Sequence, residues 1–198
     1  LSGIVAYVVA NTALAPIIFG TPLKWVVMLA PLAFIMVLSF GIHRLSFFSA
    51  HALYWAFAAL MGASLASILL VYTGASVARV FFITSAMFAG TSLYGYTTKA
   101  DLSKFGSFLM MGLIGIVIAS LVNLFFASSA LQFAISVIGV LVFVGLTAYD
   151  TQRIKEEYYE GHDHETTSKM ALMGALSLYL NFVNLFSMLM NLLGSRDE

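Results

Sequence analysis

The stretch Gly145–Lys155, read as G-L-T-A-Y-D-T-Q-R-I-K, ends a long apolar run that begins near Leu131. Asp150 stands at the end of this run, and Arg153 follows three residues later. A carboxylate attached to a membrane-length helix loses hydration when it is ionised, so such a residue indicates a functional site. The alternative is a helix-end carboxylate that is hydrated among the lipid headgroups and paired with Arg153, as exposed ion pairs often are.

The composition indicates an integral membrane protein. The chain has 198 residues, of which 61% are hydrophobic and 9% are charged, whereas a soluble domain carries about 25% charged residues. The net charge is zero, so there is no basic face for nucleic acid. Cysteine is absent, which excludes disulfides, thiolate metal sites and a cysteine nucleophile. Because Leu1 already lies in an apolar run, we expect the natural start of the protein to lie upstream of it.

Hydrophobic segments predict an all-α fold with seven transmembrane helices in a single domain, residues 1–198. A spanning helix needs roughly 20 mostly apolar residues. The predicted spans are residues 1–19, 25–42, 50–72, 77–96, 105–127, 131–150 and 169–193. Asn11 and Pro16 interrupt the first of them, and residues 151–169 form the long polar connection between the last two.

Basic residues in short loops predict the orientation, because cytoplasmic loops carry an excess of lysine and arginine. The second, fourth and sixth loops hold six of the nine: Arg44, Lys99, Lys104, Arg153, Lys155 and Lys169. The remaining loops and the C-terminal end hold Lys24, Arg79 and Arg196. This distribution predicts that the N-terminus faces the cytoplasm.

The last predicted helix carries a polar stripe along one face. Its members recur at spacings of four, three, four and three residues: Ser177, Asn181, Asn184, Met188 and Asn191. Amides at membrane depth need hydrogen-bond partners, because unsatisfied polar groups are costly in hydrocarbon. The stripe either fixes helix packing, at about 0.6 kcal/mol per hydrogen bond, or lines a path for ions or water.

Three motifs carry a resemblance to a known family. They are G-Y-T-T-K-A-D-L-S at 95–103, G-L-T-A-Y-D-T at 145–151 and A-L-S-L-Y-L-N-F-V-N-L-F at 175–186. The sequence resembles the Bax inhibitor family, also called the transmembrane Bax inhibitor motif family, in its bacterial inner-membrane branch. The resemblance implies seven transmembrane helices with the last one central, a location in the bacterial inner (plasma) membrane and a pH-sensitive calcium leak. For some bacterial relatives it implies regulation of a membrane protease instead.

The resemblance also implies a functional pair of aspartates, one in the sixth helix and one in the seventh. The first falls on Asp150, and the second falls on Asn181, where this sequence departs from the family pattern. Two adjacent carboxylates share a proton, whereas a carboxylate that faces an amide does not. Calcium affinity at Asp150 and Asn181 should be weak, because it depends on the number of carboxylates. The family's latching arginine fits Arg44 by spacing, with His43 as the alternative.

Other chemistry has little support in the sequence. His162 and His164 stand in G-H-D-H-E, a spacing that is weak evidence for a metal site with the geometry of zinc. Signatures of membrane proteases and hydrolases are missing, so we expect neither an enzyme nor a cofactor.

The sequence therefore predicts a pH-sensitive calcium channel of the leak type. Asp150, Asn181 and Arg44 sense pH and gate it, and Ser177, Asn184 and Asn191 line the polar path. Its partners are then the lipid bilayer, calcium ions and protons. The two alternatives are a membrane interaction protein that regulates a membrane protease and a proton-coupled transporter of a small solute.

Overall fold

The computed structural model describes residues 1–41, 45–159 and 164–196. The described residues form eight α-helices: α1 (Ser2–Ala10), α2 (Leu14–Phe19), α3 (Leu23–Gly41), α4 (Phe47–Val71), α5 (Gly74–Thr97), α6 (Ser103–Phe126), α7 (Ser129–Tyr159) and α8 (His164–Leu193). Six of them, α3 to α8, are long and apolar enough to cross a membrane. The predicted all-α membrane fold is confirmed. Among the described helices, six are long enough to span a membrane, whereas the sequence predicted seven.

The single helix predicted over residues 1–19 is wrong, because α1 and α2 divide this region. At the end of α1, the backbone N–H and the side-chain Nδ2 of Asn11 both donate to the Tyr7 carbonyl oxygen, at 3.0 and 2.9 Å. Pro16 lies in the first turn of α2, where an N–H has no partner within the helix, so the ring costs no hydrogen bond. With nine and six residues, neither helix crosses a bilayer alone.

The polar connection predicted over residues 151–169 is helical for most of its length, so the predicted ends of the two flanking helices are wrong. α7 continues to Tyr159, and α8 begins at His164. The 31 residues of α7 extend about 46 Å, which exceeds the roughly 30 Å of the hydrocarbon core. The charged end of α7 therefore reaches water, where a helix tolerates ionised side chains.

The chain divides into two compact units, and the predicted single domain remains a prediction. The first unit consists of Leu1–Val77, Asp163–Met173 and Ser195–Glu198. In it, α1 packs on α4, and Ser2 Oγ donates to the Ala58 carbonyl oxygen at 2.7 Å. One apolar cluster consists of the buried residues Ala6, Val9, Ile18, Val27 and Ala66. These contacts attach the short N-terminal helices to a long one.

The segment after α8 returns to the connection between α4 and α5 within the first unit. The Thr73 backbone N–H donates to the Ser195 carbonyl oxygen at 3.0 Å, and the Ser195 N–H donates to Ser76 Oγ at 2.8 Å. Ser76 is buried, so the bond from Ser195 gives its hydroxyl oxygen, which has lost water, a partner.

The second unit consists of Ala78–His162 and Gly174–Gly194 and holds α6, α7 and most of α5 and α8. α6 and α7 are neighbours joined by a short turn in which Ala127 is left-handed, with φ 48°. A Cβ at Gly112 would lie 2.9 Å from Val142 Cγ2, so a larger residue at this position would force the Val142 side chain or the helices to shift.

Aromatic side chains join α5 and α8 in the same unit. Phe182 makes edge contacts with Phe81 and Phe88, at centroid distances of 5.7 and 5.5 Å, and Phe186 contacts Phe81 at 6.4 Å. In the most apolar 18 residues of α8, 44% are buried, against 11% in α6. Protein therefore surrounds α8 more than it surrounds α6.

Candidate functional site

The second unit places Asp150 on a regular turn of α7. The hydroxyls of Thr147 and Thr151 each donate to the carbonyl oxygen four residues earlier, on Phe143 and Thr147, at 2.7 Å. These bonds let threonine lie in an apolar helix without an unsatisfied hydroxyl. The carboxyl group of Asp150 is thus presented by a rigid element, and the residue is only 7% exposed.

α8 approaches α7 closely on this side. A Cβ at Gly174 would lie 2.9 Å from Ile154 Cγ1, so the two helices meet where Gly174 has no side chain. Asn181 follows seven residues later on α8, which is two helical turns and therefore nearly the same face. This spacing brings the amide of Asn181 opposite Asp150.

The carboxylate of Asp150 has a partner for each oxygen. Asn181 Nδ2 donates to Asp150 Oδ2 at 2.8 Å, and both residues are buried. Arg153 Nη2 lies 3.1 Å from Asp150 Oδ1. The predicted contact between Asp150 and Asn181 is therefore present, and the arginine that pairs with Asp150 in the described part of the chain is Arg153.

Arg153 has further neighbours around its guanidinium. Nη2 lies 3.5 Å from Ser177 Oγ, the Tyr149 ring is 5.8 Å from Cζ, and Nε lies 3.7 Å from Glu157 Oε1. The last distance is too long for a hydrogen bond, and Nε is a buried donor without a hydrogen-bond partner among the described residues. Arg153 therefore stands between two carboxylates and bonds more strongly to the first.

A different face of α7 holds the loop between α5 and α6. Gln152 is buried, and its Oε1 accepts from the Leu102 N–H at 2.8 Å while its Nε2 donates to the Ala100 carbonyl oxygen at 2.9 Å. Lys155 Nζ donates to the Tyr96 carbonyl oxygen at 2.8 Å, near the C-terminal end of α5. A cation is favourable at that end of a helix.

The loop also contains an exposed carboxylate. Asp101 accepts hydrogen bonds from the backbone N–H and the hydroxyl of Ser103, which begins α6. These two bonds, with the nearby Lys104 charge, lower the pKa of Asp101 below its ordinary value.

The remaining predicted site residues are spread along α8. Ser177 is half-buried and reaches Asp150 only through Arg153, Asn184 is half-buried, and Asn191 is exposed. Arg44 and His43 lie outside the described residues. Sequence reasoning gave no role to Gln152, and it used Lys155 only to predict the orientation. The contact of Glu157 with Arg153 was not predicted, although the spacing of four residues on one helix was an available signal for it.

Metal ligands are few at this site. Within residues 1–41, 45–159 and 164–196 no three histidine, aspartate or glutamate side chains come together as a metal cluster. Asp150 and Asn181 bring one carboxylate and one amide, whereas calcium takes six to eight oxygens. The predicted pair of His162 and His164 is not described: His162 lies outside the described residues, and for His164 only the backbone is described.

Long apolar helices and a buried carboxylate that contacts a neighbouring helix define an integral membrane protein. A family model described as inhibitor of apoptosis-promoting Bax1 matches residues 1–198. The chain belongs to this family, the Bax inhibitor family, as the three sequence motifs predicted.

Three bacterial proteins illustrate the similarity. A Caulobacter vibrioides protein is 52% identical over 90% of this chain and 72% of its own length. A Rickettsia prowazekii protein is 47% identical over 100% and 84%, and inner membrane protein YbhL of Escherichia coli K12 is 47% identical over 99% and 86%. With six apolar helices, this similarity assigns the chain to the bacterial inner membrane.

Proposed function

We propose that this protein is a pH-sensitive calcium leak of the inner membrane in which Asp150 is the titrating gate. The observation that carries the proposal is the buried contact between helices α7 and α8: Asp150 accepts from Asn181 and pairs with Arg153. A buried ionisable group between two spans costs free energy, so its presence there indicates a function.

Protonation of Asp150 would change both of its contacts. A neutral carboxyl group loses the charge attraction to the Arg153 guanidinium, and it accepts the hydrogen bond from Asn181 more weakly than an ionised carboxylate does. Within the described part of the chain, the charged and polar groups that contact the Asp150 carboxylate are Arg153 on its own helix and Asn181 on α8. A loss of about 1.4 kcal/mol shifts a two-state gate about tenfold, so one weakened contact suffices.

The proposed path follows α8 and is lined by Ser177, Asn184 and Asn191. Its arrangement includes seven spans, with α1 and α2 together forming a broken first span, α8 central and the N-terminus in the cytoplasm. Arg44 is kept as a second candidate counter-ion for Asp150. This function needs neither a resident cofactor nor an enzymatic reaction.

Calcium flux into vesicles of pure lipid tests the proposal. Asp150→Asn imitates the protonated carboxyl group, so we expect it to leak at neutral pH and to lose most of the wild-type response to acid. Asp101→Asn is the matched control, because it removes an exposed carboxylate from the α5–α6 loop. A wild-type pH profile in Asp150→Asn would remove Asp150 from the gate.

The same vesicles separate the alternative functions. Flux that is absent from wild type and from every variant, at every pH, would favour an interaction protein that regulates a membrane protease. Saturable uptake of a solute driven by a proton gradient would favour a proton-coupled transporter.

A further inference from the structure

The Arg153 guanidinium occupies the position where a cation would meet Asp150. Nη2 is 3.1 Å from Asp150 Oδ1, and Asn181 Nδ2 takes the other oxygen at 2.8 Å. A hard cation binds oxygen ligands, so it would need the same two carboxylate oxygens. To bind them, the cation would have to displace the Arg153 and Asn181 donors. The group of Asp150, Arg153 and Asn181 is electrically neutral, so an approaching cation meets little attraction there.

Arg153 has a second anionic partner within reach. Glu157 lies one turn further along α7, with its Oε1 3.7 Å from Arg153 Nε. Because Nε is buried and has no hydrogen-bond partner among the described residues, a small side-chain rotation toward Glu157 would give it one. The Arg153 side chain is 41% exposed, so such a rotation does not require repacking of the core.

We propose that Arg153 is a tethered competitor for cations at Asp150 and that Glu157 holds its guanidinium when a cation is bound. The proposal takes its cation, calcium, from the proposed function. Arg153 then sets the cation affinity of the site through its charge. When its guanidinium pairs with Asp150, no cation can bind there, and when it pairs with Glu157, the Asp150 carboxylate is available to a cation. Tyr149 and Ser177 flank the guanidinium in its position on Asp150.

Calcium binding to the full chain in lipid nanodiscs, measured by isothermal titration calorimetry at neutral pH, tests this competition. We expect Arg153→Gln to bind calcium up to about fivefold more tightly, as removal of a partly exposed charge pair suggests. Arg79→Gln is the matched control, because it removes the same charge from an exposed position on α5. It should bind as wild type does.

Three further variants identify the cause of the change. In Asp150→Asn with Arg153→Gln the gain should disappear, which would locate it at Asp150. Arg153→Lys keeps the positive charge and should stay within about twofold of wild type, so it guards against a purely structural effect of losing the guanidinium. Glu157→Gln should weaken calcium binding more than Glu156→Gln does. Glu156→Gln is the control, because it removes the same charge from an exposed side chain one residue away.

Unchanged affinity in Arg153→Gln, a gain that survives Asp150→Asn, or no calcium binding in any variant would overturn the competition. None of these results bears on the leak itself, which the vesicle assay measures separately. Conversely, tighter binding in Arg153→Gln without any flux in vesicles would support the competition and contradict the leak.

Discussion

Two faces of the same end of α7 hold their neighbours by different chemistry. Toward α8, Asp150 and Arg153 form a contact made of charges, with the amide of Asn181 as the third member. Toward the α5–α6 loop, Gln152 forms a contact made of neutral hydrogen bonds to the backbone of Ala100 and Leu102. The two sets of residues alternate along less than two turns of one helix.

The two contacts of α7 differ in whether a charge can change them. A proton or a cation at Asp150 would change the contact with α8 under the proposed function, whereas an amide such as Gln152 neither titrates nor binds cations strongly at any ordinary pH. The α5–α6 loop is therefore expected to remain attached to α7 while the contact between α7 and α8 weakens.

The largest effect is expected from Gln152→Ala. This change removes the side-chain partner of the Leu102 N–H and of the Ala100 carbonyl oxygen, and each lost hydrogen bond costs about 0.5–1.5 kcal/mol because both residues are at least partly open to water. We expect the free energy of opening that protects residues 100–103 from hydrogen exchange to fall by about 1–3 kcal/mol in total, equally at neutral and mildly acidic pH.

Two variants sharpen this expectation. Gln152→Glu still accepts from Leu102 but cannot donate to Ala100 when ionised, so its effect should lie between those of wild type and alanine. Asp150→Asn should leave exchange in the loop unchanged. If Asp150→Asn loosened the loop as much as Gln152→Ala does, the two faces would not be independent.

The next effect belongs to the charged face. Asn181→Asp would place a second carboxylate about 2.8 Å from the first, and two carboxylates at that distance share a proton. We expect the midpoint of the flux response to move to higher pH by about one unit or more. Calcium binding at alkaline pH should also strengthen, because the site gains a carboxylate.

Asn184→Asp is the matched control for that variant, since it adds a carboxylate to the same face of α8 one turn away. Its pH midpoint should move much less than that of Asn181→Asp. Equal shifts would mean that a negative charge added anywhere on α8 moves the pH midpoint of the flux. The close contact between residue 181 and Asp150 would then not explain the shift.

The sequence was sufficient for the long helices but not for their ends. Apolar runs of membrane length located α3 to α8, since hydropathy is averaged over many residues. The prediction of one helix over residues 1–19 was wrong, because Asn11 ends α1 through two hydrogen bonds to one carbonyl oxygen. The sequence prediction also failed after Asp150, because charged residues such as Arg153 and Glu157 support a helix that has left the hydrocarbon.

One contact of the site was predicted from the resemblance of two motifs to a family. Asp150 and Asn181 were paired by family resemblance, and the hydrogen bond between them is present. Gln152 was not predictable, because its two partners are backbone atoms 50 and 52 residues earlier in the chain. A side chain that bonds to backbone leaves no complementary side chain in the sequence, so no pattern of residue types reveals it.

The smallest effect concerns the titratable contact within the loop. Asp101 accepts from the Ser103 N–H at 3.0 Å at the start of α6, and these bonds favour its ionised form. Because the pKa of Asp101 is lower in the folded chain than in the unfolded one, its stabilisation is complete above the unfolded pKa, about 3.9. That stabilisation is lost as the pH falls through the lower pKa of the folded state.

Hydrogen exchange at Ser103, corrected for the intrinsic effect of pH and followed from about pH 6 to about pH 3, measures this loss. In wild type we expect protection to decline only below about pH 4, and Asp101→Asn should remove that decline, because its side chain does not titrate. Protection that depends on Gln152 should stay level over the same range, since an amide has no proton to gain. A decline at Ser103 that begins near neutral pH in both proteins would have to come from another group. Asp150 would then be the first to test, and a decline abolished by Asp150→Asn would show that the two faces of α7 communicate.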